Sequence, residues 1–270
     1  CLYGAGRGRR MDFGAFLGND ALKRRLQESF RQGKTSHCYL LCGVEGSGRR
    51  TLALQMAAAL ECKNEREPGC GVCPACRKVL AKQHPDVITV DDTEHKNVAV
   101  DIVRQARSDV FIRPNEGRKK VYIIPRGQDM NESAQNALLK TIEEPPAYAV
   151  VMLLADNPDA LLPTISSRCV QLNLKPVGDQ LVKDYLMNEM HVPDYQAEVD
   201  ASLAQGNIGK AERIARSPEY EETLESALRM AKYADSMPLY EIVETIKKLT
   251  AEKDNIDDYF DIFSLWFRDV

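Results

Sequence analysis

A glycine-rich loop between an apolar run and a helix-forming segment constrains this chain more than any other feature. The stretch reads LLCGVEGSGRRT over residues 40–51, and LALQMAAAL follows it. A working phosphate-binding loop reads G-x-x-x-x-G-K-[ST], in which Lys contacts the phosphates and the hydroxyl binds Mg²⁺. Here Arg49 and Arg50 stand where Lys and Ser/Thr belong. We define the vestigial phosphate loop as Gly43, Gly46, Gly48, Arg49, Arg50 and Thr51.

Short strand-like runs alternate with helical patterns in the first two thirds of the chain. The runs are 38–43, 86–90, 120–125, 148–155 and 169–174. This alternation predicts an α/β fold with a parallel sheet covered on both faces. After Pro176 the strand signal ends, and three short helical patterns precede longer ones.

The change from strand-like to helical patterns predicts the domain boundaries. Residues 1–10 precede Met11 and are expected to be a non-native or upstream extension that takes no part in the fold. The α/β core is predicted over 11–174, a set of three short helices over 175–216 and a further helical domain over 217–270. Because the last helical pattern has no stop signal, we expect that domain to be truncated.

Composition excludes several classes of protein. The chain has 270 residues, 44% hydrophobic and 28% charged, which are ordinary values for globular domains. Its formal net charge of −4 argues against a stand-alone nucleic-acid binder with a strong basic field. No apolar run reaches the roughly 18 residues of a membrane span. The first ten residues lack the apolar core of a signal peptide, so we expect a reducing, cytoplasmic location.

Four cysteines lie close together in the sequence ECKNEREPGCGVCPAC. Cys62, Cys70, Cys73 and Cys76 have the spacing C-x7-C-x2-C-x2-C. Four thiolates at short spacing suit tetrahedral Zn²⁺, and four protein ligands leave no open position for catalysis. The spacing therefore predicts a structural zinc module over 62–76. Unligated thiols are the alternative.

Three further stretches carry a family resemblance. They are HCYLLCG at 37–43 before the glycine loop, MNESAQNALLKTIEEPP at 130–146 and TISSRC at 164–169. Together with the cysteine cluster, and in this order, they resemble the clamp-loader subunits of bacterial DNA polymerase III. The resemblance covers nearly the whole chain. It implies an AAA+ core (a P-loop NTPase-like sheet), a three-helix lid over 175–216 and a helical collar over 217–270.

The resemblance also implies a function within a complex. Such a complex uses ATP to open the sliding clamp and place it on primed DNA, as part of the DNA polymerase holoenzyme. The implied partners are the delta and gamma/tau subunits. Motor subunits of this family carry an acidic metal-binding pair after a core strand, and here Pro125 and Arg126 occupy those positions. We therefore expect no functional ATP/Mg²⁺ site and no intrinsic ATPase activity.

Arg168 is the residue to which the resemblance assigns a catalytic role. In the family, the arginine of the motif Ser167–Arg168–Cys169 reaches the nucleotide of a neighbouring subunit. An arginine supplied in trans stabilises charge on the transferring phosphoryl group. The alternative is a turn arginine that pairs with a nearby carboxylate.

Two other functions stay open at this stage. The first is an ATP-hydrolysing gamma/tau-type motor in which Arg49 replaces Lys, which the loss of the acidic pair disfavours. The second is a zinc-dependent nucleic-acid-binding module, which the acidic residues around the cysteines disfavour. The basic turn RPNEGRKK at 113–120, and Lys210 with Arg213, are expected to be solvated.

Overall fold

The structure is a computed structural model in which most of the chain is described. The described residues are 13, 15–64, 66–92, 95, 97–233 and 256–269, with isolated positions at 237, 238, 240, 243, 244 and 247. They form two compact units, the first ending at Lys175 and the second beginning at Pro176. The expected extension at residues 1–10 lies outside them. Within these residues, no helix has the length and apolar character needed to cross a bilayer.

The first unit alternates strands with helices. Its strands are β1 (Cys38–Cys42), β2 (Val87–Thr89), β3 (Lys120–Ile124), β4 (Ala149–Ala155) and β5 (Val170–Asn173). Its helices are α1 (Asp20–Arg31), α2 (Arg49–Glu61), α3 (Pro74–Leu80), α4 (Val100–Asp109), α5 (Glu132–Glu143) and α6 (Pro163–Ser166). Each of the five predicted strand runs contains one of these strands.

The five strands form one parallel sheet in the order β2–β3–β4–β1–β5. In the register of β1, Leu40 lies opposite Leu153 of β4 and Gln171 of β5. Every residue of β1, β3 and β4 is buried. Such runs of Val, Ile and Leu suit a parallel sheet, because helices cover both of its faces. The predicted α/β class with a parallel-sheet core is confirmed.

Each face of the sheet has its own apolar core, because successive strand side chains point to opposite sides. Tyr39 and Leu41 of β1 lie in the core that α1 and α2 cover. Cys38, Leu40 and Cys42 lie in the core that α4 and α5 cover. The carboxyl ends of all five strands meet at one edge of the sheet, where ligands of open α/β sheets bind. The loops after β1, β3 and β4 therefore lie near one another.

Two buried carboxylates hold the basic turn that precedes β3. Asp86 accepts hydrogen bonds from the backbone N–H groups of Asn115, Glu116 and Gly117. Glu61, at the end of α2, accepts from those of Arg118 and Lys119. Burial alone would raise the pKa of Asp86, but the three N–H donors hold it below its usual value. Most side chains of this turn are exposed, as expected for a solvated turn, while the two buried carboxylates hold its backbone.

Gly117 has a steric reason to be glycine in this turn. A Cβ atom there would lie 2.4 Å from Glu61 Oε2 and 3.0 Å from Asp86 Oδ2. The adjoining Lys120 is also buried, and its Nζ pairs with Asp109 Oδ2 at 2.9 Å. Charge composition alone did not indicate these contacts, because they involve backbone groups and residues distant in sequence.

The second unit contains helices and no strand among its described residues. Its helices are α7 (Asp179–Met190), α8 (Asp194–Ala204), α9 (Ile208–Arg216), α10 (Pro218–Tyr233) and α11 (Ile256–Asp269). Val182, Leu186, Ile214 and Ile262 lie in their common core. Lys210, expected to be solvated, is mostly buried and pairs with Asp261 of α11. The division of this unit into a lid and a collar stays a prediction.

Candidate functional site

The vestigial phosphate loop joins β1 to the start of α2. Gly43 follows β1 directly, and its N–H donates to the carbonyl of Ala155 at the end of β4. Gly46 and Gly48 have φ values of 83° and 90°, in the left-handed region that favours glycine. Thr51 lies in the first turn of α2. The glycines therefore give this loop a tight turn between β1 and α2, while two of its side chains differ from those of a working phosphate-binding loop.

Arg49 takes the place of the loop lysine and turns towards the neighbouring strand end. Its Nη2 lies 2.8 Å from Oδ1 of Asp156, the residue after β4, and its side chain is only 10% exposed. Arg49 Nη1 and Ser47 Oγ are buried without a protein hydrogen-bond partner. Both atoms can donate a hydrogen bond. These side chains suit an anion rather than a metal cation.

Arg126 occupies the second of the two positions at which the motor subunits carry carboxylates. Pro125 directly follows β3, and Arg126 Nε lies 2.7 Å from Oδ1 of Asp91. Arg126 Nη1 also donates to the carbonyl of His95 at 3.0 Å. The other carboxylate oxygen of Asp91 lies 3.7 Å from Nη2 of Arg50. One aspartate thus contacts arginines at two of the altered positions.

This arrangement reverses the charge that a metal-dependent nucleotide site requires. Mg²⁺ binds oxygen ligands, commonly carboxylates and the Ser/Thr hydroxyl of the loop. Here arginines replace the hydroxyl and one carboxylate position, proline replaces the other, and Asp91 already accepts from Arg126. The positions that would bind Mg²⁺ in a motor subunit therefore carry arginine and proline in this chain.

The Ser167–Arg168–Cys169 turn lies between α6 and β5, on the surface of the first unit. Arg168 Nη2 lies 3.0 Å from Oε1 of Glu143, at the end of α5, and both side chains are more than 40% exposed. Arg168 Nη1 also donates to the carbonyl of Thr164 at 2.8 Å. Ser167 Oγ donates to the same carbonyl. Within this chain, Arg168 therefore pairs with a nearby carboxylate, which is the alternative to a catalytic function.

The four cysteines of the predicted module come together between α2 and α3. The Sγ atoms of Cys62, Cys70, Cys73 and Cys76 all lie within 4.8 Å of one another. Tetrahedral ligands at the Zn–S distance of about 2.3 Å stand roughly 3.8 Å apart, so the four thiols need only a small approach to bind one ion. The cluster can hold a metal ion. It is the one group of three or more candidate ligands found in the described part of the chain.

Local structure favours the thiolate form of one cysteine of this cluster, Cys73. Cys73 is the N-cap of α3, and its Sγ accepts from the N–H of Cys76. Burial alone would raise the pKa of Cys73, but hydrogen bonds from Cys76 and Lys63 lower it to about 6. Burial raises the pKa of Cys70 and Cys76. The thiolate forms of those two therefore require a compensating cation.

Three carboxylates contribute to the site although the sequence analysis did not identify them. They are Asp91 beside Arg126, Asp156 beside Arg49 and Glu143 beside Arg168. Asp91 and Asp156 come just after β2 and β4, and the carboxyl ends of parallel strands are where such residues gather. That position was the available signal for both. Glu143 lies in the EEPP motif, which gave no indication of its partner.

Comparisons with known proteins agree on the family. A sequence model described as "DNA polymerase III, delta subunit" matches residues 18–178, more than half of the chain. The chain belongs to this family. It is 39% identical over 165 residues to the DNA polymerase III subunit delta-prime of Pseudomonas aeruginosa, which covers 60% of this chain and 50% of that protein. The resemblance to clamp-loader subunits, and to delta-prime among them, is confirmed.

Two further similarities complete the comparison. The DNA polymerase III subunit tau of Salmonella typhimurium is 31% identical over 188 residues, covering 68% of this chain and 29% of that protein. The chain thus spans half or less of the length of these two relatives. The Thermotoga maritima RuvB Holliday junction branch migration motor has a TM-score of 0.50 at 19% identity, covering 93% of this chain and 74% of that one. This likeness concerns the fold alone.

In this DNA polymerase III family member, we predict that Arg126 is a structural ion-pair residue. Arg126→Ala leaves Asp91 without its close partner and should lower the free energy of unfolding by about 2 kcal/mol, since hydrogen bonds between charged groups contribute that much. Arg50→Ala is the matched control, because its exposed guanidinium lies farther from the same carboxylate. Urea unfolding measures both variants. Equal losses, or no loss for Arg126→Ala, would contradict the assignment.

Proposed function

We propose that this chain is the non-hydrolysing, delta-prime-type subunit of a DNA polymerase III clamp loader. It supports ATP-dependent loading of the sliding clamp onto primed DNA without hydrolysing ATP itself. The observation that carries this proposal is the pairing of Arg126 with Asp91, at a position where a motor subunit needs a carboxylate for Mg²⁺. The replacement of the loop lysine and hydroxyl by Arg49 and Arg50 supports it independently.

The gamma/tau-type motor function fits this site less well. The similarity to tau proteins gives that function a basis in sequence. A motor, however, requires a metal that bridges the β- and γ-phosphates and a residue that orients the attacking water. The positively charged guanidinium of Arg126 repels Mg²⁺ and is unsuited to act as a base. A zinc-dependent nucleic-acid-binding module has no supporting observation beyond the cysteines.

Arg168 is proposed to act on the ATP of a neighbouring subunit. Its guanidinium lies on the surface, where a partner's phosphate can approach, and Glu143 and Thr164 hold it in one orientation. Exposed ion pairs contribute about 0–1 kcal/mol, so exchanging Glu143 for a phosphate costs little. A bidentate arginine–phosphate contact is stronger than an exposed carboxylate pair. The ion pair in the isolated chain is therefore compatible with catalysis in trans.

The remaining parts of the proposal concern partners and the metal. We expect the delta and gamma/tau subunits as direct partners, the sliding clamp and primed DNA as partners through the complex, and a cytoplasmic location. The metal of the cysteine cluster is proposed to be Zn²⁺, because Zn²⁺ prefers tetrahedral coordination by four thiolates. With all four positions filled by protein, the zinc would stabilise residues 62–76 and take no part in a reaction.

The catalytic part of the proposal is tested by Arg168→Ala in a reconstituted loader. The variant should assemble normally, because an exposed turn residue contributes little to the core. Its clamp- and DNA-stimulated ATPase should fall, and the affected site should lose about 10³-fold or more in rate, as expected for an arginine supplied in trans. Steady-state turnover then falls partially if other sites still act. Arg168→Lys should restore little, because an ammonium lacks the planar fork of a guanidinium.

Arg104→Ala provides the matched control for this experiment. Arg104 is also an exposed arginine in an ion pair, with Asp101 at 3.2 Å, on α4. It should leave the ATPase and clamp-loading rates unchanged at the same degree of assembly. If Arg168→Ala and Arg104→Ala behave alike in both assays, Arg168 has only the structural function of a turn residue.

The zinc proposal predicts a joint loss of metal and stability in Cys73→Ser. The wild-type chain should contain about one Zn²⁺, and the variant less, since a structural zinc site needs its full ligand set. The melting temperature should fall with the metal content, because metal binding contributes to folding free energy. Cys169→Ser, outside the cluster, should keep its zinc. The proposal would be contradicted if the wild-type chain, with its thiols reduced, had the same melting temperature without zinc as with it.

A further inference from the structure

Two cysteines outside the cluster lie in contact although they are far apart in the sequence. Cys38 begins β1, and Cys169 follows Arg168 in the turn before β5. Their Sγ atoms are 2.6 Å apart across a sequence separation of 131 residues. Both are free thiols in the structure. The sequence indicates no chemical function for either thiol.

The sheet register, independently of the side chains, places these two residues together. Tyr39 pairs with Val170 in the parallel ladder of β1 and β5. Cys38 and Cys169 are the residues immediately before that pair on their strands. Neighbouring strands stand about 4.8 Å apart, which lies inside the Cα–Cα range of roughly 4.4–6.8 Å that disulfides span. The backbone therefore needs no large movement for a bond to form.

The two thiols differ in how they meet solvent. Cys38 is fully buried, whereas Cys169 is partly exposed on the surface turn. A small oxidant can therefore reach Cys169 first. The contact with Cys169, together with burial, raises the pKa of Cys38. Either sulfur can be the donor in this contact. The accessible thiol of Cys169 is thus in contact with the buried thiol of Cys38. Redox-sensing cysteines often have a resolving cysteine placed next to them in this way.

We propose that Cys38 and Cys169 form a peroxide-sensitive dithiol that closes to a reversible disulfide. The Cys169 sulfur attacks one peroxide oxygen, the O–O bond breaks, and Cys169 becomes a sulfenic acid as hydroxide leaves and takes up a proton to form water. The Cys38 sulfur then attacks the Cys169 sulfur, and the hydroxyl leaves with the Cys38 proton as a second water. Two thiols lose two electrons, and hydrogen peroxide is reduced to two waters. A cellular dithiol reverses the step by exchange.

The bond would join the turn that carries Arg168 to the first strand of the sheet. Cys169 is the next residue after Arg168, so the disulfide would restrict the backbone from which that arginine extends. Disulfides in reducing compartments are usually transient and redox-sensing, which fits a bond that forms only under oxidation. The chemistry of the pair does not depend on the function proposed for Arg168.

The test exposes the reduced, zinc-loaded chain to hydrogen peroxide and maps its cysteines by peptide mass spectrometry. We expect a peptide that links Cys38 to Cys169, lighter by two hydrogens than the two thiol peptides, which disappears on treatment with dithiothreitol. Cys38→Ser and Cys169→Ser should not give it. Cys42→Ser is the matched control, because Cys42 is a buried thiol on the same face of β1, and this variant should form the linkage as the wild type does.

Mapping by peptide separates this pair from the cluster cysteines, whose oxidation would yield different linked peptides. In Cys38→Ser, Cys169 should instead stop at the sulfenic acid or oxidise further, because its resolving thiol is absent. The proposal is overturned if oxidised wild type holds Cys169 as sulfinic acid without the linkage. It is equally overturned if Cys169 links to Cys42, or if both thiols stay reduced while the cluster oxidises.

Discussion

The position of β1 between β4 and β5 is the constraint on which the rest of the first unit depends. All five of its residues, Cys38–Cys42, are buried, and their side chains alternate between the two cores. A shift of one residue would exchange the two sets of side chains, so the register is strongly fixed. That register places the phosphate loop beside Asp156. It also places the start of β5, with Arg168 and Cys169, next to the start of β1.

We infer that the site built on this frame has the backbone of a phosphate loop but different charged side chains. Gly46 and Gly48 retain their left-handed conformations, and α2 still begins directly after the loop. Arg49, Arg50 and Arg126 instead direct positive charge to the region where a metal would bind, and Asp156 and Asp91 balance it. Side chains can change while the loop conformation persists, because glycine torsions and strand register determine that conformation. The fold therefore does not by itself imply hydrolysis.

The sequence predicted those features that depend on local pattern. Runs of Val, Ile and Leu marked the strands, glycine spacing marked the loop, and cysteine spacing marked the cluster whose Sγ atoms meet within 4.8 Å. It did not predict pairs that tertiary structure brings together. Asp91 pairs with Arg126, which is 35 residues away in the sequence, and Cys38 contacts Cys169, which is 131 residues away. The sequence also did not predict that two buried carboxylates accept hydrogen bonds from the backbone of the basic turn, whose side chains are mostly exposed.

If arginines occupy the Mg²⁺-binding positions, ATP should bind this chain without help from Mg²⁺, and one titration tests this directly. Calorimetry would measure ATP binding to the isolated chain in Mg²⁺-free buffer and again with Mg²⁺ in excess. The account predicts weak binding that Mg²⁺ leaves unchanged or weakens further, because Arg126 and Arg50 lie where its ligands would be. Binding that Mg²⁺ strengthens about tenfold or more, a gain of roughly 1.4 kcal/mol, would contradict it.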